Sequence, residues 1–233
     1  MRIQIGLLLL LSASLCACSS GGAFATRTGR LVSGSTLSVR AEPGNINAYP
    51  PAVGEPSDLW TVQTAGSKMA GDSLVTSARY LRAIGHADYL VRVPKGVRLS
   101  ARTTRGSINI SDVSGPVDAE DNDGTIHIQI PGYATARTLR GNISVTFSDL
   151  NWPGTLHFSS QQGDVEVWVP AIVNAHVHLH TDRGTIFSDF GIRGTARGTA
   201  ETIDAQIGSA SAHGIDIEVK NGSIRFLRLV PQM

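Results

Sequence analysis

The chain has 233 residues, 41% hydrophobic and 6% aromatic, with 20 basic and 19 acidic side chains. That balance excludes the basic field a nucleic-acid binder needs, and no long charge run suggests a polyelectrolyte partner. The two cysteines, Cys16 and Cys18, lie together near the start, so no disulfide, Cys-ligated metal or Cys nucleophile belongs to the remainder.

Met1-Arg2-Ile3 carries one positive charge, and Ile5 to Leu11 is almost uninterrupted apolar sequence followed by small residues. This is the order of a secretory signal, and it is too short to remain as a membrane-spanning helix. The segment then reads Leu15-Cys16-Ala17-Cys18, which resembles the bacterial lipobox, where a Leu stands three residues before the modified Cys. Residues 1–17 are therefore expected to be removed and Cys18 to carry the lipid, palmitate included. An ordinary secretory signal with two incidental cysteines is the competing reading. Cleavage also removes Arg2, leaving 19 basic and 19 acidic residues. No later run approaches about 18 apolar residues, so the lipid is the expected membrane attachment. Residues 18–29 read as a lipidated flexible tether and residues 30–233 as one domain. By the same resemblance Ser19, where many inner-membrane lipoproteins have Asp, points to the outer membrane of a Gram-negative bacterium.

From residue 30 to residue 100 the pattern is uneven. Leu37-Ser38-Val39-Arg40, Leu59-Trp60-Thr61-Val62 and Tyr89-Leu90-Val91-Arg92-Val93 alternate like strands with one buried face. Pro50-Pro51 to Pro56 marks a loop. Ser73 to Ile84 fits a helical face through Leu74, Ala78 and Leu81, but its β-rich surroundings favour strand.

Beyond residue 100 the chain repeats itself. Gly106-Ser107-Ile108-Asn109-Ile110, Gly124-Thr125-Ile126-His127-Ile128 and Gly141-Asn142-Ile143-Ser144-Val145 share one pattern. Gly163-Asp164-Val165-Glu166-Val167, Gly184-Thr185-Ile186 and Gly222-Ser223-Ile224-Arg225-Phe226 continue it. The steps are 18, 17, 22, 21 and 38 residues, with Glu201-Thr202-Ile203-Asp204-Ala205 halfway along the last. Gly44-Asn45-Ile46 is an earlier copy. A second alternating segment precedes most of these glycines, as in Val117-Asp118-Ala119, Leu156-His157-Phe158, Val177-His178-Leu179 and Ile215-Asp216-Ile217. The Gly supplies freedom for a tight corner between the two strands. Such a period, with two or three strands each, predicts an all-β, single-domain parallel β-solenoid whose turns stack about 4.8 Å apart. An antiparallel sandwich is the alternative, though it does not explain inward positions at a fixed offset. The final Leu229-Val230-Pro231 suits a terminal edge strand.

The run Tyr89-Leu-Val-Arg-Val-Pro-Lys-Gly-Val-Arg-Leu, followed by Thr104-Arg105-Gly106-Ser107-Ile108 and its copies, resembles the bacterial putative-adhesin domain of unknown function. The likeness runs from about Leu37 to Leu229. It implies a β-solenoid on the cell surface or in the periplasm, often lipid-anchored, and it offers no catalytic residues.

The sharpest side-chain constellation is His176, His178 and His180, which alternate with Val177 and Leu179 and so share an outer face. His157 and His178 each stand six residues before their Gly, which places them on adjacent turns about 4.8 Å apart. Such imidazoles can share a metal ion or another ligand. Solvated surface histidines are the competing reading, because the same column also holds Asp118, Thr135, Thr195 and Asp216. Glu120-Asp121-Asn122-Asp123-Gly124 could bind calcium through oxygen ligands, but it reads rather as a solvated acidic turn. Asp164 and Glu166 are same-side neighbours without a third partner. Asp118 and Asp216 lie about five turns apart, too far for joint catalysis. Trp60, Trp152 and Trp168 serve sugar stacking only if they face outward. The expectation is a non-enzymatic, cofactor-free envelope lipoprotein whose partner is a glycan or another envelope protein. A polysaccharide-active enzyme and an architectural or signalling-associated protein are the alternatives.

Overall fold

A computed structural model describes residues 24–65, 73–77, 79–149, 152, 154–209 and 212–229. Residues 1–23, with Leu15, Cys16, Cys18 and Ser19, lie outside them, as does Pro231. Among the described residues the chain forms 21 strands in two sheets, one of ten strands and one of eleven, and no helix.

The first strands are β1 (Phe24–Arg30), β2 (Thr36–Ala41), β3 (Ile46–Tyr49) and β4 (Leu59–Ala65). β5 (Ser73–Ser77), β6 (Tyr80–Gly85) and β7 (Tyr89–Arg92) follow. Regular coils begin with β8 (Arg98–Thr103) and β9 (Ile108–Ser111), then β10 (Val117–Asp123) and β11 (Ile126–Ile130). They continue through β12 (Ala134–Arg140) and β13 (Ile143–Phe147) to β14 (Thr155–Gln162) and β15 (Val165–Pro170). β16 (Ala175–Arg183), β17 (Ile186–Ser188), β18 (Thr195–Arg197) and β19 (Ala200–Ile207) come next. The chain closes with β20 (Gly214–Asn221) and β21 (Ile224–Leu229).

Each coil lays one strand in the eleven-stranded sheet, turns at a corner that is glycine in all but β6–β7, and lays the next in the ten-stranded sheet. Alternation places one side chain in two between the sheets. Ile46, Ile108, Ile126, Ile143, Val165 and Ile224 form one inward row, each at most 1% exposed. Opposite them Val39, Ala101, Ala119, Ala136, Phe158, Ile217 and Leu179 form another. Burying such a Val, Leu, Ile or Phe side chain is worth about 1.5–3 kcal/mol, so stacked coils secure what no single coil can.

The corner glycines stack as well. A Cβ on Gly124 would lie 1.6 Å from the Gly106 carbonyl oxygen, and one on Gly141 1.7 Å from that of Gly124. Just before the corner, Thr103, Asp121, Thr138, Ser160 and Thr181 form a buried polar row, broken by Val219 between Ser160 and Thr181. Thr103 donates to the Gly44 carbonyl at 2.8 Å, Ser160 to that of Gly141 at 3.2 Å, and Thr181 to that of Gly222 at 2.8 Å.

The solenoid read from the repeats is present, with four corrections. Coils do not stack in chain order, because β20–β21 inserts between β14–β15 and β16–β17. β2–β3 likewise sits between β6–β7 and β8–β9. The last strand is therefore interior and not an edge. Glu201 to Ala205 is not a coil corner but part of β19, antiparallel to β16, since a Glu side chain cannot occupy the crowded corner that Gly fills. Residues 24–29, read as part of a flexible tether, are strand, because β1 pairs antiparallel with β4 over its whole length. Ser73–Ser77 and Tyr80–Gly85 are strands, β5 and β6, and the Pro50–Pro56 stretch is a loop.

Candidate functional site

The outer face of the eleven-stranded sheet carries a row built by register. It runs Ser38, Ser100, Asp118, Thr135, His157, Asp216, His178 and Asp204. His157 and His178 are thus not neighbours, as chain order suggested; the inserted β20 places Asp216 between them. Asp118 and Asp216 are three strands apart and not five turns. Thr195 leaves the row altogether, because it pairs with Thr202, whose own partner is His180.

Imidazoles and carboxylates meet at the end of this row. His157 Nδ1 lies 3.1 Å from Asp216 Oδ2. Asp204 receives two rings, His176 Nε2 at 3.0 Å and His178 Nδ1 at 3.4 Å. His180 is engaged through both nitrogens, by Thr202 Oγ1 at 2.8 Å and Asp182 Oδ1 at 3.1 Å. His157, His176 and His178 border an open pocket of about 300 Å³ with Thr155, Gly214, Ile215 and Asp216. Gly214 stands between Thr155 and His176 in register, and its missing side chain opens the notch. Among the described residues no three His, Cys, Asp or Glu side chains stand together at metal-holding spacing.

Asp204 escaped the sequence because β19 is antiparallel and belongs to no repeat. Asp216 stands in the column that the repeats predict, but its place there depends on coil order.

The acidic stretch before Gly124 is strand β10 and not a turn, so its carboxylates diverge. Glu120 pairs with Arg102 at 3.3 Å and Asp123 with Arg140 at 3.3 Å, while Asp121 points inward and is 1% exposed. Burial pushes the Asp121 carboxyl up to about 6, opposed by the amide of Asp123 and aided by that residue's charge. Asp164 serves the corner, accepting from the Ser223 amide at 2.7 Å. Glu166 accepts from Trp168 Nε1 at 2.7 Å and pairs with Arg225 at 3.1 Å. Trp60 and Trp152 are core residues, and Trp168 is half-buried.

Residues 32–226 match the family described as Toastrack DUF4097. No curated protein matches the chain. Among solved structures, a putative cell adhesion protein from Clostridium sporogenes is 10% identical, with a TM-score of 0.48 over 89% of this chain and 100% of its own. A putative adhesin from Bacteroides fragilis is 14% identical, with a TM-score of 0.32 over 89% of this chain and 97% of its own.

Proposed function

The chain belongs to the Toastrack DUF4097 family, and from that premise we propose that it is a lipid-anchored, non-enzymatic binding module of the bacterial cell envelope. The address rests on residues 1–17 as export signal and Cys18 as lipid attachment point, and Ser19 favours the outer membrane.

The observation that carries the binding role is the outward row from Ser38 to Asp204, eight strands with polar side chains in one register. Strands about 4.8 Å apart present hydroxyl, carboxylate and imidazole groups at a regular interval over about 34 Å. Arg98 and Thr135 both hold Asp118, at 3.0 Å and 2.7 Å, so part of the row is ordered before any ligand arrives. A rigid, evenly spaced polar surface suits an extended polymer with repeating hydroxyls, such as an envelope glycan.

Cell fractionation and a sedimentation assay test the two halves together. Wild-type protein is expected in the membrane fraction with incorporated palmitate, and Cys18→Ser in the soluble fraction without it. Purified protein is expected to sediment with insoluble envelope glycan and to leave the polymer intact. Release of glycan fragments would instead identify a polysaccharide-active enzyme. Co-purification of one envelope protein, with no sedimentation, would favour the architectural role.

A further inference from the structure

His157, Asp216 and His178 stand in register on three successive parallel strands, β14, β20 and β16. An ionised carboxylate only accepts hydrogen bonds, so each contact with one fixes the tautomer of a neutral imidazole. His157 donates through Nδ1 to Asp216, and His178 through Nδ1 to Asp204. Both rings therefore keep Nε2 as a bare acceptor. His176 donates through Nε2 to Asp204 and keeps Nδ1. Asp216 Oδ1 is buried and has no hydrogen-bond partner among the described residues. The notch over Gly214 thus gathers lone pairs of nitrogen and carboxylate oxygen with few donors to meet them. A cation is the ligand that answers such a lining.

We propose that His157, Asp216 and His178, with His176 beside them, bind a divalent transition-metal ion of the zinc class. Two imidazole nitrogens and one carboxylate oxygen form a borderline donor set that suits zinc and its neighbours better than magnesium or calcium, which prefer oxygen alone. Asp204 acts from outside the ligand set, holding the His178 ring in the tautomer that presents Nε2, as carboxylates behind ligating histidines do. His180 takes no part, since both its nitrogens are occupied. Among the described residues no three of these side chains stand at ligand spacing, so binding requires a change of rotamer. Binding closes the site by turning exposed rings, with His157 58% and His178 39% exposed, on strands whose register stays fixed.

Isothermal titration of the untagged full chain with zinc chloride at pH 7.5 tests this. Saturable binding of about one ion per chain is expected. His157→Ala and His178→Ala should each weaken it by about tenfold or more, with far-UV circular dichroism unchanged because both side chains point outward. His127→Ala, on the other sheet, should bind as the wild type does. No saturable heat, full affinity in His178→Ala, or equal binding of calcium would each overturn the proposal.

Discussion

Asp121 occupies a row in which Thr103, Thr138, Ser160 and Thr181 place hydroxyls. Its neighbours Thr103 and Thr138 stand in register with it on β8 and β12, and Thr103 donates to a corner carbonyl. An ionised carboxylate cannot donate, and Asp121 Oδ2 is buried without a hydrogen-bond partner among the described residues. Oδ1 is better served, accepting from the Asp123 amide at 3.0 Å. Burial outweighs that contact and lifts the carboxyl from 3.8 to about 6. The sign follows from linkage. Between pH 4 and 6 the folded chain holds a proton that the unfolded chain has lost, so stability falls as pH rises through that window. The full shift corresponds to about 3 kcal/mol, lost above pH 6 and recovered in acid. Asp121→Thr restores the donor and removes the buried charge. It should be more stable than wild type by about 1–3 kcal/mol at pH 7.5 and nearly equal at pH 4. Urea unfolding at the two pH values measures this. A Thr variant less stable at pH 7.5 would show that the carboxylate is well accommodated.

At the level of elements, the repeated glycine is as much about space as about backbone freedom. Gly124 shows this directly: its position is the most crowded of the corners, with the Gly106 oxygen 1.6 Å from where a Cβ would stand. Gly141 combines crowding, at 1.7 Å, with a φ of +140°. Gly54 has a φ of +90° but nothing within 4 Å of a built Cβ. Gly54→Ala should therefore cost only the conformational penalty of about 1–2 kcal/mol, while Gly141→Ala should cost about 3 kcal/mol or more. Thermal melts of the two variants compare strain alone with strain plus collision. The same contrast explains what was legible. Glycines that no side chain can replace, set at fixed distances from alternating Ile and Val, reveal coils and inward faces. Glu201 at such a position was the available sign that no corner forms there. Coil order was not legible, because Ile224 and Ile186 are interchangeable next to Val165 and either row stacks equally well. Chain order alone separates Asp216 from His157 and His178, the two histidines it stands between.

The whole molecule departs from a simple solenoid because its first and last complete coils are tucked one place inward. In a sequential stack, each coil touches only the next, and trimming the last one leaves the rest standing. Here β20 is paired on both sides, to β14 and β16, and β21 likewise to β15 and β17. β19 and β18 depend in turn on β16. The segment from residue 171 to residue 209 therefore reaches the body through a coil made later in the chain. Those long-range pairings delay closure of this end until the C-terminal strands arrive, and they bind it to the whole once formed. A chain ending at residue 209 should lose more than it lacks. Limited proteolysis of that truncation is expected to digest the segment after Pro170 while the coils before it resist. The full chain should protect both under the same conditions. Protection of residues 171–209 in the truncated chain would mean that β16 and β17 can dock directly on β14 and β15. The stack would then tolerate the chain order that the repeats alone suggest.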